Sequence, residues 1–418
     1  MQPFSILRGF YRIMGAGLVI ALSVSLLSCH GKKTKPSSER QVTQTQRQQQ
    51  LTNFGDPNFA LLADKLRHRD TRQIHFVQLG DSHTAADFFT GKLRNLLQGR
   101  YGDAGPGFIP PMNIPGQRHD IMKFAEDKTG WWLSSSRKDN RADYPLGGFI
   151  ATPESANSKI QLYSPSAHGK YWVSALYQSH EATTIKAQSA STQVWPLPAT
   201  NSEWRFSPEQ SVRFPVTIFL QERFPQERLP QESQLKIGGW LIKRQSPGIM
   251  LSTLGINGAT INMLDKWQPQ WVDTLAQLKP DMVILAYGTN EAFNESLDLA
   301  TYQKELTAKV QNIRKAIPEA VILLIGPNDS LKNKATGNCS EQQSTLLSDV
   351  IQVQQDVAKK QHTLFWDWRA FMGGPCSIKG WEQQNLARPD YIHLSAAGYE
   401  RSAEALYKQF TGLVEKWD

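Results

Sequence analysis

The sequence predicts a three-layer α/β/α domain whose chain is interrupted by an antiparallel β-sandwich. Three observations carry this. Two separated regions alternate short, almost wholly apolar runs with amphipathic stretches of helical period, the pattern of a parallel sheet covered on both faces. Between them, from Pro110 to about Pro247, the helical period is absent, and β-branched and aromatic residues alternate between Gly, Pro and Ser breaks. The chain has 418 residues, 40% of them hydrophobic, which suffices for more than one domain and a large core.

Taken in order, residues 1–29 read as a targeting segment. Arg8 and Arg12 precede an apolar run too short and wrongly flanked for an ordinary membrane span. The run closes on Leu26-Leu27-Ser28-Cys29, which resembles a bacterial lipobox apart from Leu27, where smaller residues are commoner. That resemblance implies acylation of Cys29, a lipid anchor and a periplasmic location. His30, not Asp, follows the cysteine, which by analogy with enterobacterial sorting favours the outer membrane. Residues 30–55 are polar, cannot bury a core and read as a tether.

Residues 56–109 are expected to form the first part of the α/β domain and residues 248–418 the second, with 110–247 as the β-rich insertion. In the second part the strands are expected at "IMLSTLGI", "DMVILAYGT", "AVILLIGP" and "TLFWDW". Pro280 and Pro318 each end a helical stretch just before a buried strand. In the insertion the strands are expected at "KIQLYS", "KYWVSALYQ", "TTIKAQ", "VRFPVTIFLQ" and "QLKIGGWLIKR". Trp131, Trp132, Trp172, Trp195, Trp204 and Trp240 give this region many aromatics, and sandwich core is the expectation for most of them.

The formal net charge of +8 is scattered, so it implies attraction to anionic surfaces and no specific nucleic-acid recognition. Removing Cys29 leaves Cys339 and Cys376, which in an oxidising compartment allow one disulfide. The isolated cysteines make no zinc pattern, and no P-loop or dinucleotide fingerprint is present.

Four stretches of the α/β regions carry chemistry. They are Gly80-Asp81-Ser82-His83, "LGINGAT" with Gly255 and Gly258, Tyr287-Gly288-Thr289-Asn290-Glu291, and "RPDYIHLSAAGY" with Asp390 and His393. The first three fall at carboxyl ends of expected strands, where open α/β sheets gather their sites. Together they supply what acyl transfer requires. Ser82 is a nucleophile that needs a base, His393 can take its proton, and Asp390, three residues earlier, can orient the imidazole. The backbone N–H of Ser82, the bare N–H of Gly258 and the side-chain amide of Asn290 can bind an oxyanion. Each residue also has a plain alternative. Ser82 can cap a helix, Gly258 and Asn290 can serve turns, and Asp390 with His393 can precede a helix as a capping arrangement.

The joint order of Ser82, Gly258, Asn290 and His393 matches the four blocks of the SGNH (GDSL-type) hydrolases. "GDSHTAADFFTGKLRNLLQGRYGDAGPGFIPP" followed by a long β-rich insertion, with "FWDWRAFMGGPCS" and "RPDYIHLSAAGY", resembles bacterial peptidoglycan O-acetylesterases. His83 stands where many GDSL enzymes have Leu and is expected to pack at the helix start. The resemblance implies an SGNH domain with an inserted module like family 35 carbohydrate-binding domains. It implies a Ser82–His393–Asp390 triad, no metal or organic cofactor, and removal of acetyl from the C6 hydroxyl of N-acetylmuramoyl residues. Acetylated peptidoglycan, or a related acetylated glycan, is then the partner. The competing expectations are an acetylxylan-type esterase, a lipase or thioesterase, an O-acetyltransferase, and an inactive wall-binding lipoprotein. The sequence names no protein partner.

Overall fold

In the computed structural model, residues 50–417 are described apart from 69–70, 127–129, 141–142, 156–157, 221–234 and 333–336. The targeting segment, Cys29 and the tether up to residue 49 lie outside the described residues.

Six strands form the main sheet: β1 (Leu51–Asn53), β2 (Gln73–Gly80), β3 (Gly248–Gly255), β4 (Met282–Ala286), β5 (Val321–Ile325) and β6 (Leu364–Trp366). Their order across the sheet is β1-β6-β5-β4-β2-β3. All neighbours are parallel except β1, which pairs antiparallel with β6, Leu51 opposite Trp366. This corrects the tether boundary at residue 55, because Leu51 is buried and already part of the sheet. A three-residue strand between polar segments shows no alternation long enough to read.

The two faces of the sheet follow from the strand period of two. On β2, Ile74 and Phe76 pack with Leu62 and Leu66 of helix Phe59–Arg67, Leu93 of helix Phe89–Tyr101, and Leu406 and Phe410 of helix Ala396–Glu415. Val77 and Leu79 point the other way, onto Leu275, Val310 and Val357 of helices Trp271–Gln277, Leu299–Ala316 and Leu347–Lys360. The result is the expected three-layer α/β/α domain. Cys339 and Cys376 are joined by a disulfide.

The insertion is an antiparallel sandwich of a five-stranded and a seven-stranded sheet. Its strands include Lys159–Tyr163, Tyr171–Gln178, Thr183–Gln188, Val216–Leu220 and Lys236–Lys243, all where alternation places them. Its start differs from the expected residue 110. Strand Gly107–Ile109 pairs with Ile242–Trp240 and so belongs to the sandwich. Trp131, Trp195, Trp204 and Trp240 are core, Trp172 is half-buried, and Trp132 is 63% exposed on the edge strand Trp131–Ser135.

The sandwich is not a bead on a string. Phe108, Tyr144, Leu146, Phe149 and Trp204 from the insertion share one core with Leu254, Ile256, Leu264 and Trp267 of the α/β domain. Phe108 N–H also donates to Ser252 Oγ of β3 at 2.7 Å.

Candidate active site

The site is built where β2, β3 and β4 end together. Gly80 stands opposite both Gly255 and Ala286 in the parallel register. The two glycines allow the turn after β2 to lie close on the sheet. A Cβ on Gly255 would collide with the Ala85 backbone, and one on Gly80 would lie 2.7 Å from the Ala286 carbonyl. Asp81, not Ser82, caps the short helix Ser82–Ala85, accepting the His83 N–H at 2.9 Å. The hydroxyl of Ser82 is thereby released from capping.

Ser82 Oγ lies 2.9 Å from His393 Nε2, and His393 Nδ1 lies 2.9 Å from Asp390 Oδ2. A carboxylate only accepts, so Nδ1 carries the proton and Nε2 presents a lone pair to the serine hydroxyl. The other oxygen of Asp390 accepts the N–H groups of Ile392 and His393 at 2.9 and 2.8 Å. Burial works against the Asp390 charge, but these bonds outweigh it and hold the carboxyl below its ordinary range. The loop is braced from the segment after β5, where Asn328 Nδ2 donates to the Ile392 carbonyl at 2.9 Å and the Leu331 N–H to the Tyr391 carbonyl at 2.9 Å. Ser395 takes the capping role for helix Ala396–Glu415.

Gly258 and Asn290 line a cleft of about 670 Å³ together with Ser82 and His393. Gly258 has φ +75°, a backbone state that favours glycine. Asn290 Nδ2 donates one hydrogen to the Ala259 carbonyl at 2.9 Å, which fixes its amide beside Gly258 and leaves the second hydrogen. Ser82 opens its helix, so its N–H has no partner within that helix.

Two acids lie beneath these groups without a role foreseen in the sequence. Glu291 is buried and accepts the N–H groups of Ile261 at 2.7 Å and Gly288 at 2.9 Å, tying the Gly258 loop to the Asn290 turn. Burial raises its carboxyl to about 7 despite those bonds. Burial likewise raises Asp81 to about 8, against the His83 N–H bond and with repulsion from Glu291 added. The only sequence trace of the clamp is the acid three residues after Gly288.

His83 is buried beside the site and does not line the cleft. Its Nδ1 meets Tyr399 Oη at 2.8 Å. Burial, with repulsion from His393, lowers it to about 3, so it stays neutral. It packs near the helix start, as expected.

Comparisons with known proteins give the family. A family model described as peptidoglycan O-acetylesterase, N-terminal, matches residues 104–217, and one for the GDSL-like lipase/acylhydrolase family matches residues 232–401. A solved peptidoglycan O-acetylesterase is 33% identical, covering 87% of this chain and 99% of its own, with a TM-score of 0.77. The chain belongs to the peptidoglycan O-acetylesterase family of GDSL-like hydrolases. A GDSL-like lipase structure from Parabacteroides merdae is 19% identical over 40% of this chain and 74% of its own, TM-score 0.33. An acetyl xylan esterase is 20% identical over 38% of this chain and 80% of its own, TM-score 0.32. No curated protein matches the sequence. In this chain Ser82 precedes the segment matched by the hydrolase family model, and the sandwich carries most of the N-terminal family segment.

Proposed function

We propose that this protein is a carboxylic ester hydrolase that removes O-acetyl groups from peptidoglycan, at the C6 hydroxyl of N-acetylmuramoyl residues. The observation that carries the reading is the unbroken line Ser82 Oγ, His393 Nε2, His393 Nδ1, Asp390 Oδ2, both links 2.9 Å, opening onto the Gly258 and Asn290 cleft. In the mechanism Ser82 Oγ attacks the acetyl carbonyl while His393 Nε2 takes its proton. The tetrahedral oxyanion is held by the N–H groups of Ser82 and Gly258 and by the Asn290 amide. Protonated His393, stabilised by Asp390, then gives its proton to the departing sugar hydroxyl, leaving acetyl-Ser82. His393 activates a water to release acetate and restore the serine.

The inserted sandwich is proposed to hold the glycan strand near the cleft. Its exposed Trp132 is the aromatic suited to stacking on a sugar ring. An acylated Cys29 would tether the enzyme to a periplasmic membrane surface, the outer membrane by the residue after the cysteine. Palmitate labelling lost in Cys29→Ala tests the anchor.

The deciding experiment follows acetate release from O-acetylated peptidoglycan, acetylated xylan and a long-chain ester, with Ser82→Ala as control. Release from peptidoglycan is expected to be fastest, and Ser82→Ala to lose several orders of magnitude, on the order of 10⁴-fold or more. A folded Ser82→Ala protein of near-normal activity refutes the triad, and no release from peptidoglycan by the native enzyme refutes the substrate.

A further inference from the structure

The walls of the catalytic cleft are cationic. Of the residues that line it, two are arginines, Arg137 and Arg388, and none is an aspartate, glutamate or lysine. Both arginines are exposed, and neither side chain has an ion-pair or hydrogen-bond partner among the described residues. By contrast, the buried Arg369 and Arg94 are each paired with an acid, Asp329 and Asp87.

Arg137 comes from the insertion. It sits just beyond the edge strand Trp131–Ser135, and its guanidinium lies flat against Gly258, with Nη2, Nε and Cζ at 3.5, 3.6 and 3.7 Å from where a Cβ would stand. The turn that carries it is fixed. Ser136 is fully buried and its N–H donates to the Gly148 carbonyl at 2.9 Å, the Lys138 N–H donates to the Ser135 carbonyl at 2.9 Å, and Lys266 Nζ of the α/β domain donates to the Ser136 carbonyl at 3.0 Å. Arg388 lines the same cleft from the His393 loop, where its N–H donates to the His393 carbonyl at 2.8 Å beside the bridge Ala387–Leu394. Two unpaired guanidinium groups, each carried on a fixed backbone segment, therefore line the cleft that holds the reacting serine. Such an arrangement attracts and orients an anion, and a guanidinium fork suits a carboxylate.

We propose that Arg137 and Arg388 form a binding site for a carboxylate borne by the acetylated substrate, so that the enzyme selects acidic acetylated glycans over neutral ones. This rests on the esterase reading of the same cleft. A muramoyl residue satisfies it in two ways. Its lactyl group carries a free carboxylate when no peptide is attached, and an attached peptide carries carboxylates of its own. A neutral xylan carries neither. Arg137 is a specificity-determining residue supplied by the insertion, which gives the sandwich a direct part in the site.

The test uses the full protein and 4-nitrophenyl acetate, a neutral ester, with three non-ester sugars as competitive inhibitors. They are N-acetylglucosamine, N-acetylmuramic acid, which adds the lactyl carboxylate, and N-acetylmuramoyl dipeptide, which moves carboxylates onto the peptide. At least one carboxylated sugar is expected to bind roughly tenfold more tightly than N-acetylglucosamine, the order of a hydrogen-bonded charge pair. That preference should weaken with added NaCl and shrink to about twofold or less in an Arg137→Ala, Arg388→Ala double variant, with Arg137→Lys intermediate. Which carboxylated sugar binds better identifies the source of the carboxylate. Equal binding of all three sugars by the native enzyme overturns the proposal, as does an undiminished preference in the double variant. So does a loss in the variant confined to kcat on the neutral ester, which would place Arg137 at the oxyanion. The inhibition pattern is read without peptidoglycan, so failure to release acetate from peptidoglycan strikes the substrate assignment and leaves this measurement standing.

Discussion

Asn290 and Asp390 are proposed to act through single atoms, and their substitutions separate roles. Asn290→Ala removes an amide that is aimed by its bond to the Ala259 carbonyl. If that amide serves the oxyanion, kcat falls about 10²–10³-fold with little change in KM. A rise in KM alone would make Asn290 a substrate contact. Asp390→Asn replaces an acceptor facing His393 Nδ1 with a group that offers an N–H, which favours the wrong imidazole tautomer. The expected loss in kcat is on the order of 10⁴-fold, the size known for this change in serine proteases. A loss under about tenfold, within reach of an ordinary general-base perturbation, would remove Asp390 from the mechanism. Asp81 gives a readout in stability. Its carboxyl is raised by burial to about 8, so the folded protein holds a proton that the unfolded chain has already released. Its contribution is full below the ordinary carboxylate pKa and is lost as pH rises through about 8. Asp81→Asn keeps an oxygen for the His83 N–H and cannot ionise. The decline of Tm between about pH 5 and about pH 9 should therefore be shallower in Asp81→Asn than in the native protein. Parallel Tm curves for the two proteins would show that Asp81 does not titrate in that range.

The short helix carrying Ser82 is too brief to hold itself, and its position comes from what grips its end. Asp87 and Arg94 are fully buried and paired at 3.1 Å. The same carboxylate accepts Thr253 Oγ1 of β3 at 3.1 Å and the Asp120 N–H at 2.7 Å. Burial opposes the Asp87 charge, but Arg94, His119, the Thr90 hydroxyl and the Asp120 N–H lower it to about 2. Arg118 adds a second tie, donating its N–H to the Ala85 carbonyl at 3.2 Å and Nη1 to the Asp87 carbonyl at 3.0 Å. One acid thus locks the end of the nucleophile turn to the sheet and to the start of the insertion. Asp87→Ala leaves Arg94 buried without its anion, which should cost about 3–5 kcal/mol. Urea unfolding of the variant checks this, and a loss under about 1 kcal/mol would mean the pair is replaced by water.

The shared core sets how the two domains depend on each other. Sequence patterning invites removal of 110–247 as a separable module, with small-ester hydrolysis preserved. The structure argues otherwise, because Phe108, Tyr144, Leu146 and Trp204 pack into the same cluster as Leu254, Ile256 and Trp267. Joining the chain across the gap exposes that face of the α/β domain, including the Ile256 to Gly258 loop beside it. The deletion protein is expected to lose cooperative unfolding and activity on every ester together. A soluble deletion protein with a sharp thermal transition and retained 4-nitrophenyl acetate hydrolysis would show that the domains are independent.

The strands of the main sheet and most of the sandwich were legible because their signals are local. A buried parallel strand needs a continuous apolar run, as in Val321–Ile325, and a half-buried one needs alternation, as in Lys159–Tyr163. The four motif blocks were legible through their joint order along the chain, since each by itself reads equally as a cap or a turn. The short strands Leu51–Asn53 and Gly107–Ile109 were not, since three residues show no period and their pairing partners lie far along the chain. Arg137 was illegible for a related reason. An exposed arginine in a turn has no pattern of its own, and it acquires a role only when the sandwich packs that turn onto Gly258. Glu291 and Asp81 show the same limit from the inside. By itself the sequence determined the sheet, the layers and the candidate nucleophile, base and acid, through periodicity and local chemistry. The buried acids under the oxyanion donors, the common core of the two domains and the cationic walls of the cleft were decided by tertiary packing, because each depends on distant segments meeting at one place.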